Sequence, residues 1–377
     1  MSTNTVESVA IPSLAEESPL VSGTPRAAAN PPALSVFAPV VAACAALLIT
    51  LLVPNGEAPP KTWMDDLSAW AHPYPILLEA LGVFFLLLSP AQWAWTSLRP
   101  WVRHYAPLFA GALSLLCVID LLTAKTGWMP QPYFPGPDQI LGGLIDDTIR
   151  PAGITLLNGG TLYEAWNKIW TDKGNLLVGT MYSIRLLAFG YLSGVAMGTV
   201  TGVLIGWSPR IRYWAVPLMK VIGPVPATAL VPLVITVFQG SSLAGAGMIA
   251  FAVWFPMTML TSSGMANVRL SYLDVARTLG AGRLYLIFRV AIPSALPHIF
   301  VGLFVGLLTS FLTLVVAETV GVPAGLGWYL NWRKGYMDYP KMYAAVVIMG
   351  VVFSAILTLL FKLRDRVLSW QKGVIKW

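Results

Sequence analysis

Apolar residues in this chain come in long unbroken runs rather than in alternation, and the runs are about as long as a bilayer is thick. A helix rises about 1.5 Å per residue, so about 20 apolar residues cross the hydrocarbon core. Runs of that kind occupy 34–53, 74–95, 105–123, 176–206, 214–238, 245–262, 296–320 and 342–361. None reads as a ten-residue strand with every second position apolar, which argues against a barrel. The expectation is an all-α polytopic membrane protein with about eight transmembrane helices. The fourth run exceeds a single crossing, which predicts tilt or an interfacial end.

Between the runs the pattern changes. Residues 124–175 are too many for a bare connection. Within them "DQILGGLIDDTI" and "TLYEAWNKIW" repeat apolar positions at helical spacing, predicting short amphipathic helices at the outer surface. Trp128, Tyr133, Trp166 and Trp170 suit a membrane interface, and a partner-docking surface explains the same pattern equally well. Residues 1–33 are rich in Pro, Ser and Ala and lack the basic start of a cleavable signal, so they read as a disordered cytoplasmic tail. The chain thus divides into that tail, an extension with three spans (34–123), an outer loop (124–175), a core (176–362) and a basic tail (363–377).

Composition supports the lipid reading. The chain is 56% hydrophobic and 11% charged, against roughly a quarter charged in soluble domains. The net charge of +7 raises the question of nucleic acid. The basic residues, however, are strung along the gaps between apolar runs, and that reading is set aside. They dominate 99–103, 210–212, 269–289 and 362–376, where Asp274 and Asp365 are the acids, whereas the intervening gaps balance the two signs. The count places both termini and the 263–296 loop in the cytoplasm. Cys44 and Cys117 lie within apolar runs and read as packing residues.

The 263–296 loop is more elaborate than a crossing requires. Ser271, followed three residues later by Asp274, has the form of a helix cap. "YLDVARTL" continues as a short helix with Tyr272, Val275, Ala276 and Leu279 on its apolar side. Gly280 supplies the stop, "RLYLIFRVAI" resumes as a second helix, and Pro293 and Pro297 are expected to bend the chain back into the membrane.

This loop resembles the EAA loop of bacterial ABC-importer permeases, whose pattern is Glu-Ala-Ala, then Gly, then Ile-x-Leu-Pro. The matching residues are Asp274, Val275, Ala276, Arg277, Gly280, Ala281, Val290, Ile292 and Pro293. Asp replaces the first Glu and Val the first Ala, and the bulkier Val bears on the fit. "GTMYSIRLLAFGYLSGVAMGTVTGVLIGWSPRI", "VIGPVPATALVPLVITVF", "LTLVVAETV" and "GLGWYL" look like the permease subgroup for nitrate, bicarbonate, sulfonates and taurine. The similarity runs from about Leu176 to the C-terminus, and the three-span extension has no recognised counterpart.

The resemblance implies a type I importer core formed by the last five spans, in a bacterial inner membrane. It implies two cytoplasmic ATP-binding subunits, a second permease copy in a homodimer, and a periplasmic or lipid-anchored solute-binding protein. ATP and Mg would reside in the ATPase, since this chain has no G-x-x-x-x-G-K-[ST] loop. No cofactor, metal or catalytic residue is expected in the chain itself.

Charges inside spans are functional candidates, here Glu79, Asp120, Arg185, Lys220 and Glu318. Arg185 and Glu318 fall at comparable depth, as an anion-attracting pair of pathway residues or as an ion pair pinning two helices. Pro224, Pro226 and Pro232 free backbone carbonyls that suit a pathway lining, or a packing kink. Gly190, Gly194, Gly198 and Gly202, four apart, give one helix a flat face for close approach within the subunit or across a dimer. A self-contained secondary transporter or channel is the alternative. It would call for inverted repeats or clustered buried acids, and neither pattern stands out.

Overall fold

In the computed structural model the described residues are 37–53, 73–94, 99–129, 132–171, 174–223, 225–238 and 241–371, and among them there is no strand. The helices are α1 (Ala38–Leu52), α2 (Pro73–Ala94), α3 (Arg99–Asp120), α4 (Pro137–Thr148), α5 (Arg150–Leu157), α6 (Leu162–Thr171), α7 (Leu176–Trp207) and α8 (Pro209–Ile222). They continue with α9 (Ala227–Val237), α10 (Ser242–Ala266), α11 (Leu270–Thr278), α12 (Arg283–Tyr285), α13 (Ile292–Val320), α14 (Leu326–Gly335) and α15 (Tyr339–Val367). The proposed N-terminal tail lies outside the described residues.

Among the described residues five helical runs are long and apolar enough to cross a membrane: Tyr105–Lys125, α7, α10, Arg283–Val320 and α15. The span expected over 214–238 is instead a broken pair, α8 and α9, bent by 74°. Two causes meet at the break. Pro226 caps α9 and cannot donate a backbone bond, and Gly223 lies so close to the Phe255 ring of α10 that a Cβ would sit 2.1 Å from it. Over the first two expected spans lie α1, of 15 residues, and α2, of 22 residues, whose apolar part is Pro73–Leu88.

The chain divides into two compact units, 1–46 with 79–115, and 47–78 with 116–377. In the first, Phe85 packs against Phe84 and Phe109, and Val102 and Ala106 bury against Leu88.

The second unit is built on α7, α10 and α13. Gly190, Gly194, Gly198, Gly202 and Gly206 of α7 face Ile249, Val253, Met257, Thr261 and Met265 of α10, and an added Cβ at any of them would lie within 2.7 Å of its neighbour. The flat glycine face is therefore used inside the subunit. Polar bonds fasten the same helices: Trp254 Nε1 donates to Thr201 Oγ1 (3.1 Å), Tyr191 Oη to the Leu303 carbonyl (2.9 Å) and Thr309 Oγ1 to the Ala252 carbonyl (3.1 Å).

The amphipathic segments behave differently from one another. α6 exposes Leu162, Tyr163 and Trp166, as its pattern predicts. α4 does not lie free at the surface: it packs on α15, and Gly143 comes so close to the Lys341 backbone that a Cβ would be 3.1 Å from its nitrogen. Asp146 and Asp147 of α4 bind Lys341 Nζ at 2.8 and 2.9 Å, and Asp147 also accepts from Arg333 and from the Tyr329 hydroxyl. Burial, and then the Asp147 charge, push the Tyr329 phenol well above its usual range.

Candidate functional site

The loop residues that match the coupling pattern form a small folded unit. α11 begins with Arg269 in the cap position, and no side chain caps it, so Ser271 lies inside the helix rather than at its start. Asp274 pairs instead with Arg277 at 2.9 Å on the exposed side. Such a solvent-facing pair adds little stability.

The stop is as expected. Gly280 has φ 84°, its N–H donates to the Arg277 carbonyl (2.9 Å), and the Ala281 N–H donates to the Ala276 carbonyl (3.0 Å). Those two bonds are the Schellman closure, which requires a left-handed residue between them.

From Arg283 the chain does not make a separate helix followed by a bend. It runs on to Val320 as one helical stretch, with a π segment at Leu286–Ala291 just before Pro293. The π segment shifts the bonding register, with the Ile292 N–H reaching the Ile287 carbonyl, so Pro293 enters at the start of α13 and is absorbed there.

Leu273, only 8% exposed, anchors α11 in a cluster with Leu286, Ala291 and Ala295. Ala276, Ala281, Val290 and Ile292 pack against that cluster. The apolar sector of α11 is thus split: its inner half faces the core, and its outer half, with Val275 61% and Leu279 83% exposed, faces out. Leu284 and Phe288 extend the exposed apolar surface beyond the turn. Leu273 was missed in the sequence reading, although its three-residue spacing to Ala276 was a usable signal. The structure brings the Val275–Leu279 face and the Gly280 turn together, and leaves Asp274 and Arg277 as a solvated flank.

The pathway candidates separate. Glu318 is 1% exposed, and its carboxylate accepts from Ser183 Oγ (2.7 Å) and the Gly327 N–H (2.8 Å). Ser183 Oγ in turn accepts from the Leu326 N–H at 2.8 Å. Glu318 thus joins α7, α13 and the start of α14, and Gly325, at φ 108°, leaves no room for a side chain beside it. Arg185 takes no part in this network and stands exposed in a cleft between α7 and α10. The expected ion pair does not form. Pro226 and Pro232 belong to α9, and Pro224 lies outside the described residues. Asp120 is buried and accepts from Thr50 Oγ1 at 3.2 Å, while Glu79 and Lys220 are exposed.

The profile described as "Binding-protein-dependent transport system inner membrane component" matches residues 194–369. The matched region runs from α7 through the α11 turn to the end of α15. Among its relatives, SsuC of Bacillus subtilis (strain 168), named for aliphatic sulfonates transport, is 28% identical over 260 residues, covering 66% of this chain and 90% of that one. The nitrate import permease protein NrtB of Leptolyngbya laminosa is 28% identical over 200 residues, 45% of this chain and 71% of its own. The taurine transport system permease protein TauC of Escherichia coli (strain K12) is 27% identical over 208 residues, 55% and 67%. The match covers 66% of this chain, more than the stretch from Leu176 to the C-terminus, so it takes in some residues ahead of Leu176.

Proposed function

We propose that this chain is the permease subunit of an ATP-driven importer for a small anion of the nitrate, bicarbonate, sulfonate or taurine kind. It would sit in a bacterial inner membrane with both termini in the cytoplasm. Two ATP-binding subunits, a second copy of the chain and an external solute-binding protein would complete the transporter. Transport would proceed by alternating access, with ATP and Mg held by the ATPase subunits. The observation that carries this reading is the α11 turn: a helix locked to the core by Leu273 and closed by Gly280, which turns Val275 and Leu279 outward. A rigid element with an exposed apolar face is what force transmission from a soluble motor needs. Relatives named for sulfonate, nitrate and taurine transport support the anion class.

The test is ATP hydrolysis by the purified complex in lipid, with and without the binding protein. Leu279→Asp alters the exposed face alone and is expected to leave the chain folded while reducing stimulated hydrolysis at least tenfold. Gly280→Arg, strained at its positive φ, is expected to do the same and to loosen the turn. Unchanged hydrolysis in both variants would sink the coupling role.

A further inference from the structure

The cleft around Arg185 is a different matter from the coupling turn. It encloses about 340 Å³ and opens to the surface between α7 and the first turns of α10. Arg185 and Tyr182 approach from α7 and Ser242 from the start of α10, while Phe189 and Leu243 form apolar walls. Arg185 is the tenth residue of α7, which places it about 13 Å from the helix start, within the outer part of the span.

An arginine at that depth is costly unless a partner or water meets its charge. Among the described residues no carboxylate lies within ion-pair distance of it, because Glu318 is engaged by Ser183 and Gly327. The guanidinium is therefore a free fork of donors in a partly apolar cleft that Ser242 also lines.

We propose that this cleft is an outward-facing binding site for a small oxyanion of single negative charge, gripped by Arg185 and Ser242. The planar fork of arginine suits paired oxygens such as those of a sulfonate, carboxylate or nitrate. One positive charge matches one negative charge, and the Phe189 and Leu243 walls disfavour a multiply charged, strongly hydrated ion. The inference deepens the importer reading by naming where the anion first rests in the membrane, but its test needs neither the ATPase nor the binding protein.

That test reads charge selectivity at the cleft directly. In the full-length chain with Cys44→Ser and Cys117→Ser, Ser242→Cys is exposed from the outer side of sealed vesicles to two membrane-impermeant thiol reagents. One is a methanethiosulfonate bearing a sulfonate, the other bears a trimethylammonium. Each rate is taken relative to that of the same reagent with a free thiol in solution, where the thiolate favours the cation, and on that scale the anionic reagent is expected to react roughly tenfold faster or more. Arg185→Gln is expected to abolish the difference and Arg185→Lys to retain much of it. Millimolar methanesulfonate should slow the labelling in the presence of Arg185 and not in Arg185→Gln.

Leu243→Cys, on the same wall, serves as a second reporter if the first variant folds poorly. Equal rates for the two reagents, a preference that survives Arg185→Gln, lack of protection by methanesulfonate, or no labelling from outside because lipid or a second copy covers the cleft would each overturn the site. Failure here with normal ATPase coupling would leave the importer reading intact. The reverse pattern would sink that reading while the anion site stands.

Discussion

The glycines of α7 show how much can turn on a single hydrogen-sized side chain. At Gly198 an added Cβ would lie 2.6 Å from the Met257 Cβ, and the Trp254 carbonyl is 3.0 Å away, so neither a flexible tip nor open space can absorb it. Gly247, on α10, is exposed and has nothing within 4 Å of the same position. Overpacking a tight contact costs about 1–3 kcal/mol, whereas replacing an unconstrained helical glycine by alanine gains up to about 1 kcal/mol. Gly198→Ala is therefore expected to lower the melting temperature of the purified chain, and Gly247→Ala to leave it level or raise it slightly. Equal behaviour would mean that α7 and α10 do not pack through the glycine face. The four-residue spacing was legible in the sequence. Whether the face served the subunit or a dimer was not, because spacing identifies a flat surface and says nothing of what lies on it. Arg185 and Glu318 make the same point: equal depth along two helices was readable, but pairing depends on rotation about each axis. The Ser183 hydroxyl and the Gly327 amide claimed the carboxylate first.

At the scale of elements, the apolar runs became helices where expected, since a run of that length leaves the backbone few other ways to satisfy its bonds in lipid. The departures occur where backbone chemistry is negotiable. Prolines at 226 and 293 looked alike in sequence, yet one ends at a 74° break and the other is absorbed by a π segment. The difference lies in the neighbours, a glycine pressed on Phe255 in the first case and a register shift in the second. α4 departs in another way. Its amphipathic pattern predicted a surface helix, but its polar side is turned inward, onto Lys341, Arg333 and Tyr329. A polar face finds buried partners as readily as water if they are presented in three dimensions. Removing Asp147 would leave Arg333 with Asp338 at 3.4 Å and Lys341 with Asp146 at 2.8 Å, two cations each about a fifth exposed or less, and would forfeit charge-assisted bonds at a cost on the order of 2 kcal/mol. Asp147→Ala is expected to lower the melting temperature by several degrees and to open the α4–α5 segment to protease. Asp147→Asn, which keeps a hydrogen-bonding oxygen, should fall between. Unchanged proteolysis would show that α4 is not clamped by this network.

For the whole molecule the question is where the transport core begins. The expected boundary near Leu176 left everything before it as an addition, and two observations bear on the residues just ahead of it. The relative SsuC matches over more residues than lie beyond Leu176, and α4 is tied into the ends of α14 and α15. The end of α1 and the start of α2 also belong to the larger unit: Lys125 Nζ donates to the Thr50 and Val53 carbonyls at 2.9 and 2.7 Å, and the Tyr74 N–H to Asp138 at 3.0 Å. The Lys125 bond to Val53 is exposed and the other two are partly buried, whereas the α4 network, also partly buried, carries opposed charges. A chain beginning at Pro137, exported behind a cleavable secretory signal so that its new N-terminus reaches the outer side, keeps α4 and its ion pairs. It is expected to remain monodisperse and to retain ATPase coupling. A chain beginning at Ile149 loses Asp146 and Asp147 together and leaves Arg333 and Lys341 with Asp338, at 3.4 and 3.8 Å, as their acidic neighbour. It is expected to aggregate or to melt several degrees lower. If the two truncations behave alike, α4 is dispensable and the core does begin at α7. If the longer one already fails, the bonds made by Lys125 and Tyr74 carry part of the fold that the α4 ion pairs do not.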